Sequence, residues 1–430
     1  MKKIIYQALT RLWGDGHMSS WDRKSFEYLK SLGVDYIWYT GIPRHASGED
    51  FVKGNPGSPY AICDWKDVNP YLADNPGRRK TEFRDLVKRT HEAGLKCIID
   101  FIPNHVACNY SGPIVHHDWC DGDWTDTRKN DYSRRETVEA MVDILKYWAS
   151  KGVDGFRCDM VELVPKEAMT EIISRVKEKY PALIFIAEVY NIDGYWEYLN
   201  TVGFDLLYDK SGIYDKLRAI TCSNASAKQL TWHWQWLGDM QDRMLNFLEN
   251  HDEQRLASPW FAGTPQKGYA ALSYALLFNK ASFMLYFGQE VGEDAAEGHE
   301  GRTSIFEWCR PQGIDALHAL ISEGKEMDEA KTAVLTKYRE LMCLASEELF
   351  RDGENWDLAY CQPEESGFNQ DRHAAFLRFN AKHKALVFCN FSNTVADAEI
   401  VVPAEAAGKE FRIEVQVPAW DSSVIFLDSI

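Results

Sequence analysis

The chain has 430 residues, of which 45% are hydrophobic and 26% charged, the usual balance of a globular protein. With 65 acidic and 48 basic side chains, its formal net charge is −17 at pH 7. This charge disfavours nucleic acid and anionic membrane surfaces as partners, because both bind a basic protein face.

Neither targeting nor membrane insertion is indicated. The N-terminal segment lacks an apolar stretch long enough for a signal peptide, and no window approaches a transmembrane span. The ten cysteines include no CxxC pair, which favours free thiols in a reducing compartment. We therefore expect a cytoplasmic protein.

Strand-like and helical segments alternate over roughly the first 290 residues. Eight strands alternating with helices close most economically into a (β/α)8 TIM barrel. A doubly wound open sheet is the alternative, disfavoured because no glycine-rich phosphate loop follows the first strand. The expected strands are 3–9, 34–39, 95–101, 153–158, 182–188, 203–208, 243–249 and 281–287. The expected helices are 20–32, 81–93, 134–151, 166–179, 212–220 and 266–279.

Two connections are unusually long. Residues 40–80 are rich in glycine and proline, and an irregular polar excursion follows the third strand. We predict a catalytic barrel over 1–344, including a short loop subdomain at 106–133. Short β-rich segments then predict an antiparallel all-β domain over 345–430. Its expected strands are 374–379, 384–391, 397–402, 410–416 and 423–427.

Polar side chains follow four of the predicted barrel strands. Catalytic groups of such barrels lie at the C-terminal ends of the strands, so these side chains should face one rim. They are Asp100, Asn104 and His105 after the third strand, Arg157 and Asp159 at the fourth, Glu188 at the fifth, and Glu249, His251 and Asp252 at the seventh.

Glycoside cleavage needs such a set, because one carboxylate attacks the anomeric carbon while another protonates the leaving oxygen. Asp159 is the better nucleophile, since Arg157 shares its strand face and should keep it ionised. Glu188 follows an apolar strand with no cation beside it in sequence, which suits a general acid. Asp252 can stabilise an oxocarbenium-like transition state. Taken alone, Arg157 and Asp159 could instead form a structural ion pair at the barrel rim.

Four ordered motifs carry a family resemblance. DFIPNH at 100–105, GFRCD at 155–159, the glutamate of IAEVY at 186–190 and ENHD at 249–252 resemble the signature regions of the α-amylase family, glycoside hydrolase family 13. The resemblance implies a retaining mechanism at α-glucosidic bonds through a covalent glycosyl–Asp159 intermediate. Glu188 would be the acid/base and Asp252 the stabiliser.

The same resemblance implies supporting groups that bind a neutral α-glucan or oligosaccharide. They are Tyr60, whose counterpart stacks on the sugar, and Asp100, His105, Arg157 and His251. The chemistry requires no cofactor. Asn104 resembles a calcium ligand of the family, so a structural calcium ion is an open alternative.

The chain also departs from the family pattern. Glu162 and Leu163 stand where many endo-α-amylases have Lys-His, so we expect an intracellular maltodextrin-type member. A transglycosylase using the same intermediate is the alternative, and a non-catalytic sugar-binding or interaction protein is a remote one. Trp232, Trp234 and Trp236 alternate as in a strand, either as loop packing or as an aromatic sugar platform. Linkage specificity and oligomeric state are open.

Overall fold

The computed structural model describes residues 1–295 and 300–427. Its parallel strands close into an eight-stranded barrel in which neighbours follow chain order. The first strand pairs with the eighth, from Ile4 opposite Phe283 to Gln7 opposite Tyr286. The predicted TIM barrel is therefore confirmed, and the open-sheet alternative is wrong. The barrel strands are Ile4–Leu9, Tyr36–Thr40, Lys96–Phe101, Gly155–Cys158, Ile184–Ala187, Leu206–Tyr208, Met244–Phe247 and Ser282–Tyr286.

Helices surround the barrel close to the predicted positions. The first begins at Arg23 rather than at residue 20, because the Asp22 carboxylate caps it by accepting from the Ser25 amide. No helix within residues 1–295 and 300–427 has the length and apolar character needed to cross a bilayer. The longer helices are Arg23–Ser31, Arg79–Glu92, Arg135–Ala149, Lys166–Lys177, Asp215–Ser223, Lys228–Leu237, Tyr269–Leu277, Gln312–Glu323 and Glu329–Ser346. The shorter ones are Tyr195–Glu197, Glu348–Asp352 and Ala404–Ala407.

The tryptophan-rich stretch is a helix, so its strand-like interpretation is wrong. Trp232 and Trp236 lie one turn apart on an exposed face, with 62% and 43% of their surfaces accessible. Trp234 lies on another face, where its ring is 5.7 Å from that of Phe278. Leucines and a histidine buried at helical spacing were the stronger signal.

The two long connections each contain a short antiparallel pair. Pro43–His45 pairs with Ile62–Val68 in the first, and His105–Ala107 pairs with Thr127–Lys129 in the excursion after the third strand. Both connections contribute side chains to the main pocket.

The C-terminal region contains two antiparallel sheets close to the predicted strands. Its first strand, Glu354–Asp357, was not predicted. The Arg378 guanidinium is buried and donates to the carbonyls of Leu277 (2.6 Å) and Asn279 (3.1 Å), which attaches this region to the barrel. The domain boundary near residue 345 stays a prediction. One sheet contains Glu354–Asp357, His373–Phe379, Lys384–Asn390 and Ser422–Phe426, and the other Ala396–Val402 and Phe411–Val417.

Candidate active site

A single buried arginine lies at the centre of the site. Arg157 is fully buried on the fourth barrel strand, and its Nη1 lies 2.5 Å from Asp159 Oδ1. Its Nη2 lies 3.0 Å from Glu188 Oε1 and 3.9 Å from Asp252 Oδ2. Three carboxylates that follow three different strands therefore surround one guanidinium.

Aromatic rings complete the surroundings of this guanidinium. Its central carbon lies 5.3 Å from the ring centroids of Trp38 and Tyr208 and 5.6 Å from that of Tyr60. The Tyr208 hydroxyl also accepts a hydrogen bond of 3.2 Å from Arg157 Nε. Ring faces and carboxylates together compensate for removing this cation from water.

Glu188 has no cation beside it in sequence, but the fold brings Arg157 next to its carboxylate. The fourth and fifth strands pair with Cys158 opposite Ala187, which brings Glu188 alongside Asp159 and its arginine. The Met160 amide donates to Glu188 Oε2 at 2.9 Å, and the Tyr190 hydroxyl donates to Oε1 at 2.7 Å. Met160 has a left-handed backbone with φ of 45° directly after Asp159. The Glu188 carboxyl group is thus fixed at both oxygens.

A second, buried set of hydrogen-bonded side chains adjoins the three carboxylates. The Tyr60 hydroxyl lies 3.2 Å from Asp100 Oδ1 and 2.5 Å from His251 Nε2, and the Tyr60 ring stacks on the His251 ring at 5.1 Å. Gln7 Nε2 donates to His251 Nδ1 at 2.8 Å, which leaves the imidazole proton on Nε2. That nitrogen also lies 3.1 Å from Asp252 Oδ2. Gln7 was missed, although it is the polar residue of an otherwise apolar strand.

Three acids of the site, Asp159, Asp252 and Asp100, bind protons more readily than isolated acids. Burial raises the pKa of Asp159 well above its usual range, and although Arg157 opposes this rise, the Glu188 and Asp252 charges add to it. We expected Arg157 to keep Asp159 ionised, and burial works against that effect. Desolvation within the cleft, followed by the Glu188 charge, raises the pKa of Asp252 to about 7. Burial likewise raises the pKa of Asp100 to about 6. Three carboxylates around one cation leave an excess of negative charge, which opposes ionisation of Asp159 and Asp252.

The two histidines of the site, His105 and His251, favour the neutral form. Burial lowers the pKa of His105 to about 4. Burial also lowers the pKa of His251 well below its usual value, and the Arg157 charge adds to that effect. Both imidazoles can therefore act as neutral hydrogen-bonding groups at pH 7.

These groups meet at a cavity of about 410 Å³ at the carboxyl ends of the strands. Of the predicted residues, Tyr60, His105, Asp159, Glu188 and Asp252 line it, while Asp100, Arg157 and His251 are buried beneath. Tyr190 was missed, although its position two residues after Glu188 on the same segment is a usable signal. The remaining lining residues carry no sequence signal: Lys53, Ser58, Trp124, Asp126, Thr127, Met160, Glu253, Ile305 and Phe306.

Some of the residues considered lie outside the cavity lining. Glu249 pairs with the buried Arg255 at 2.9 Å. Glu162 accepts hydrogen bonds from the backbone amides of Tyr190 (2.8 Å) and Asn191 (3.1 Å), so it holds the loop after the fifth strand. Leu163 is 40% exposed.

Asn104 is buried and does not face an open cation site. Its Oδ1 accepts a hydrogen bond from the Lys129 ammonium, which also donates to Asp121 Oδ2 at 3.0 Å and to the Leu163 carbonyl at 2.9 Å. An oxygen set whose centre already holds an ammonium group does not fit a calcium ion.

A closed barrel with an acid-lined pocket at the carboxyl ends of its strands defines a (β/α)8-barrel catalytic domain. The chain belongs to the α-amylase family of glycosidases, since the family model described as "Alpha amylase, catalytic domain" matches residues 23–124 and 119–399.

Individual relatives agree with this assignment. The chain is 23% identical over 362 residues to Alpha-amylase 3 of Dictyoglomus thermophilum, covering 71% of this chain and 67% of that protein. It is 22% identical over 417 residues to a cyclomaltodextrinase of Geobacillus thermopakistaniensis, covering 89% and 63%. The crystal structure of a noncanonic maltogenic alpha-amylase from Thermotoga neapolitana superposes with a TM-score of 0.74 at 22% identity, covering 99% and 96%. The chain thus spans about two thirds of the length of these two curated relatives.

Proposed function

We propose that this protein is a retaining glycosidase that cleaves α-glucosidic bonds in malto-oligosaccharides or related α-glucans. The convergence of Asp159, Glu188 and Asp252 on Arg157 within one pocket carries the proposal. Paired carboxylates are what glycoside cleavage requires. The excess of negative charge disfavours anionic ligands and permits a neutral sugar.

In the first step, an Asp159 oxygen attacks the anomeric carbon while the bond to the leaving oxygen breaks. Glu188 gives its proton to that oxygen, which produces a covalent glycosyl–Asp159 ester. This step needs Asp159 as a carboxylate and Glu188 as a neutral acid. Asp252, whose side chain is 36% exposed, faces the developing positive charge and the sugar hydroxyls.

In the second step, Glu188 accepts a proton from a water molecule whose oxygen attacks the anomeric carbon. The ester bond breaks, Asp159 leaves as a carboxylate, and the product keeps the α configuration. A sugar hydroxyl in place of water would give transfer instead of hydrolysis.

The departures from the family pattern support short substrates. Glu162 is engaged with two backbone amides, and Leu163 offers an apolar side chain, so neither supplies a cationic contact for a long glucan. The free thiols Cys97, Cys158 and Cys389 are buried, which fits the reducing cytoplasm that we propose as the location.

Product chromatography tests this function. Purified protein should release glucose or maltose from maltotriose and maltoheptaose, and proton NMR should show the α anomer first. Asp159→Asn should lower kcat about a thousandfold or more, equivalent to about 4 kcal/mol. The exposed Asp143→Asn on helix Arg135–Ala149 serves as the matched control.

Three outcomes would count against the proposal. Full activity of Asp159→Asn would remove the nucleophile assignment. Longer oligosaccharides as the main products would favour a transglycosylase. Binding of maltodextrin without turnover on maltotriose, maltoheptaose, pullulan, trehalose, sucrose and isomaltose would favour a non-catalytic protein.

A further inference from the structure

The Lys129 ammonium is held by oxygens from three separate segments. Its contacts are Asn104 Oδ1, Asp121 Oδ2 at 3.0 Å and the Leu163 carbonyl at 2.9 Å. Only 14% of the Lys129 side chain is exposed. The three acceptors match the three protons of an ammonium group, so the contact set is complete.

The charges of this oxygen cage, formed by Asn104, Asp121 and Leu163, also balance. Asp121 supplies one negative charge against the single positive charge of Lys129. Burial opposes the ionised form of Asp121, yet hydrogen bonds from Asn104 Nδ2 (2.8 Å) and Lys129 lower its pKa. A carboxylate, an amide oxygen and a backbone carbonyl are the ligand types that hard cations prefer. The cage therefore has the chemistry of a cation site whose cation is a side chain.

The position of the cage connects it to the pocket. Asn104 follows the third barrel strand, and Leu163 lies four residues after Asp159. Lys129 ends the antiparallel pair of the excursion, where it faces His105 in register. The same excursion carries Trp124 to the cavity wall. One ammonium thus joins the excursion to the loop that follows Asp159.

We propose that Lys129 replaces a metal ion at this place in the fold. Its ammonium holds together the two loops that form part of the pocket wall, and no calcium ion is needed for this. Removing the ammonium leaves an oxygen cage that a hard cation fills. The inference concerns the folded state and stands independently of the substrate proposed above.

Thermal unfolding in EDTA and in millimolar CaCl2 tests the proposal without an activity assay. The wild type should have the same Tm in both buffers. Lys129→Met should lose roughly 3 °C or more in EDTA and recover part of that loss in CaCl2. Lys177→Met is the matched control, because Lys177 is also a partly buried lysine in an ion pair, with Asp205 at 2.8 Å. That control should show no calcium response.

Hydrogen exchange should place the calcium-reversible loss of protection in residues 105–129 and 160–164. Lys129→Gln is the second variant if Lys129→Met fails to fold in EDTA. A wild type stabilised by calcium would overturn the proposal, and so would Lys129 variants as stable as the wild type. Destabilised variants without a calcium response would also overturn it, because Lys129 would then be an ordinary ion-pair partner.

Discussion

The hydrogen bond between Tyr190 and Glu188 offers a sharp test of the acid role. Tyr190→Phe removes the hydroxyl that lies 2.7 Å from Glu188 Oε1 and leaves the ring in place. In the first step Glu188 changes from a neutral acid to a carboxylate, and a hydrogen bond to a charged group is worth about 1.5–3 kcal/mol. Glu188 keeps its contacts with Met160 and Arg157, so the lower limit applies. We expect kcat/KM on maltotriose to fall about tenfold.

The leaving group distinguishes this explanation from general damage. An aryl α-maltoside with an acidic phenol needs little protonation, so Tyr190→Phe should lower its kcat/KM less than twofold. Tyr195→Phe is the control, because its hydroxyl bonds Asp209 (3.4 Å) outside the cavity lining. Equal losses on both substrates, or no loss on maltotriose, would refute the assignment of Glu188 as the acid.

Two further variants test the surroundings of the acids. Glu162→Gln should lower the free energy of unfolding by about 1–2 kcal/mol in urea titrations, because it weakens acceptance from the Tyr190 and Asn191 amides. An unchanged urea midpoint would show that this loop is held by other contacts. Asp252 has a raised pKa in the folded state, so ionising it destabilises the fold. This destabilisation is absent below about pH 4 and increases as the pH rises through about 7. Asp252→Asn should therefore raise the Tm by a few degrees at most at pH 8 and leave it unchanged near pH 4, since its 36% exposure lets solvent screen the charge. An equal shift at both pH values would contradict this linkage.

Much of the barrel could be predicted because each strand and helix carries its own local signal. Gly94 and Gly152 end the second and third predicted helices with φ of 73° and 96°, a conformation that favours glycine. The tryptophan-rich segment was wrongly interpreted as strand-like, because its three alternating tryptophans also fit a helix on which Trp232 and Trp236 are exposed. The buried residues of this segment, Leu230, His233 and Leu237, recur at helical spacing, and that pattern identifies the segment as a helix.

The site was predictable where topology alone places a residue. Strand ends of a parallel barrel meet at one rim, so Asp159, Glu188 and Asp252 could be grouped without coordinates. The contact between Arg157 and Glu188 depends on the register of two strands, which no local pattern specifies. In the oxygen cage, Lys129 contacts Asn104 and Leu163, which lie 25 and 34 positions away in sequence. Only the folded loops bring these residues together.

Trapping of the glycosyl–enzyme tests the central claim most directly. A maltosyl fluoride with a second fluorine at C5 should form the ester quickly and hydrolyse it slowly. Fluoride leaves from C1, so peptide mass spectrometry of the digested protein should locate one added 5-fluoromaltosyl group on Asp159, and Asp159→Asn should carry none. A label on another residue, or a β-configured product without any label, would contradict the proposed mechanism.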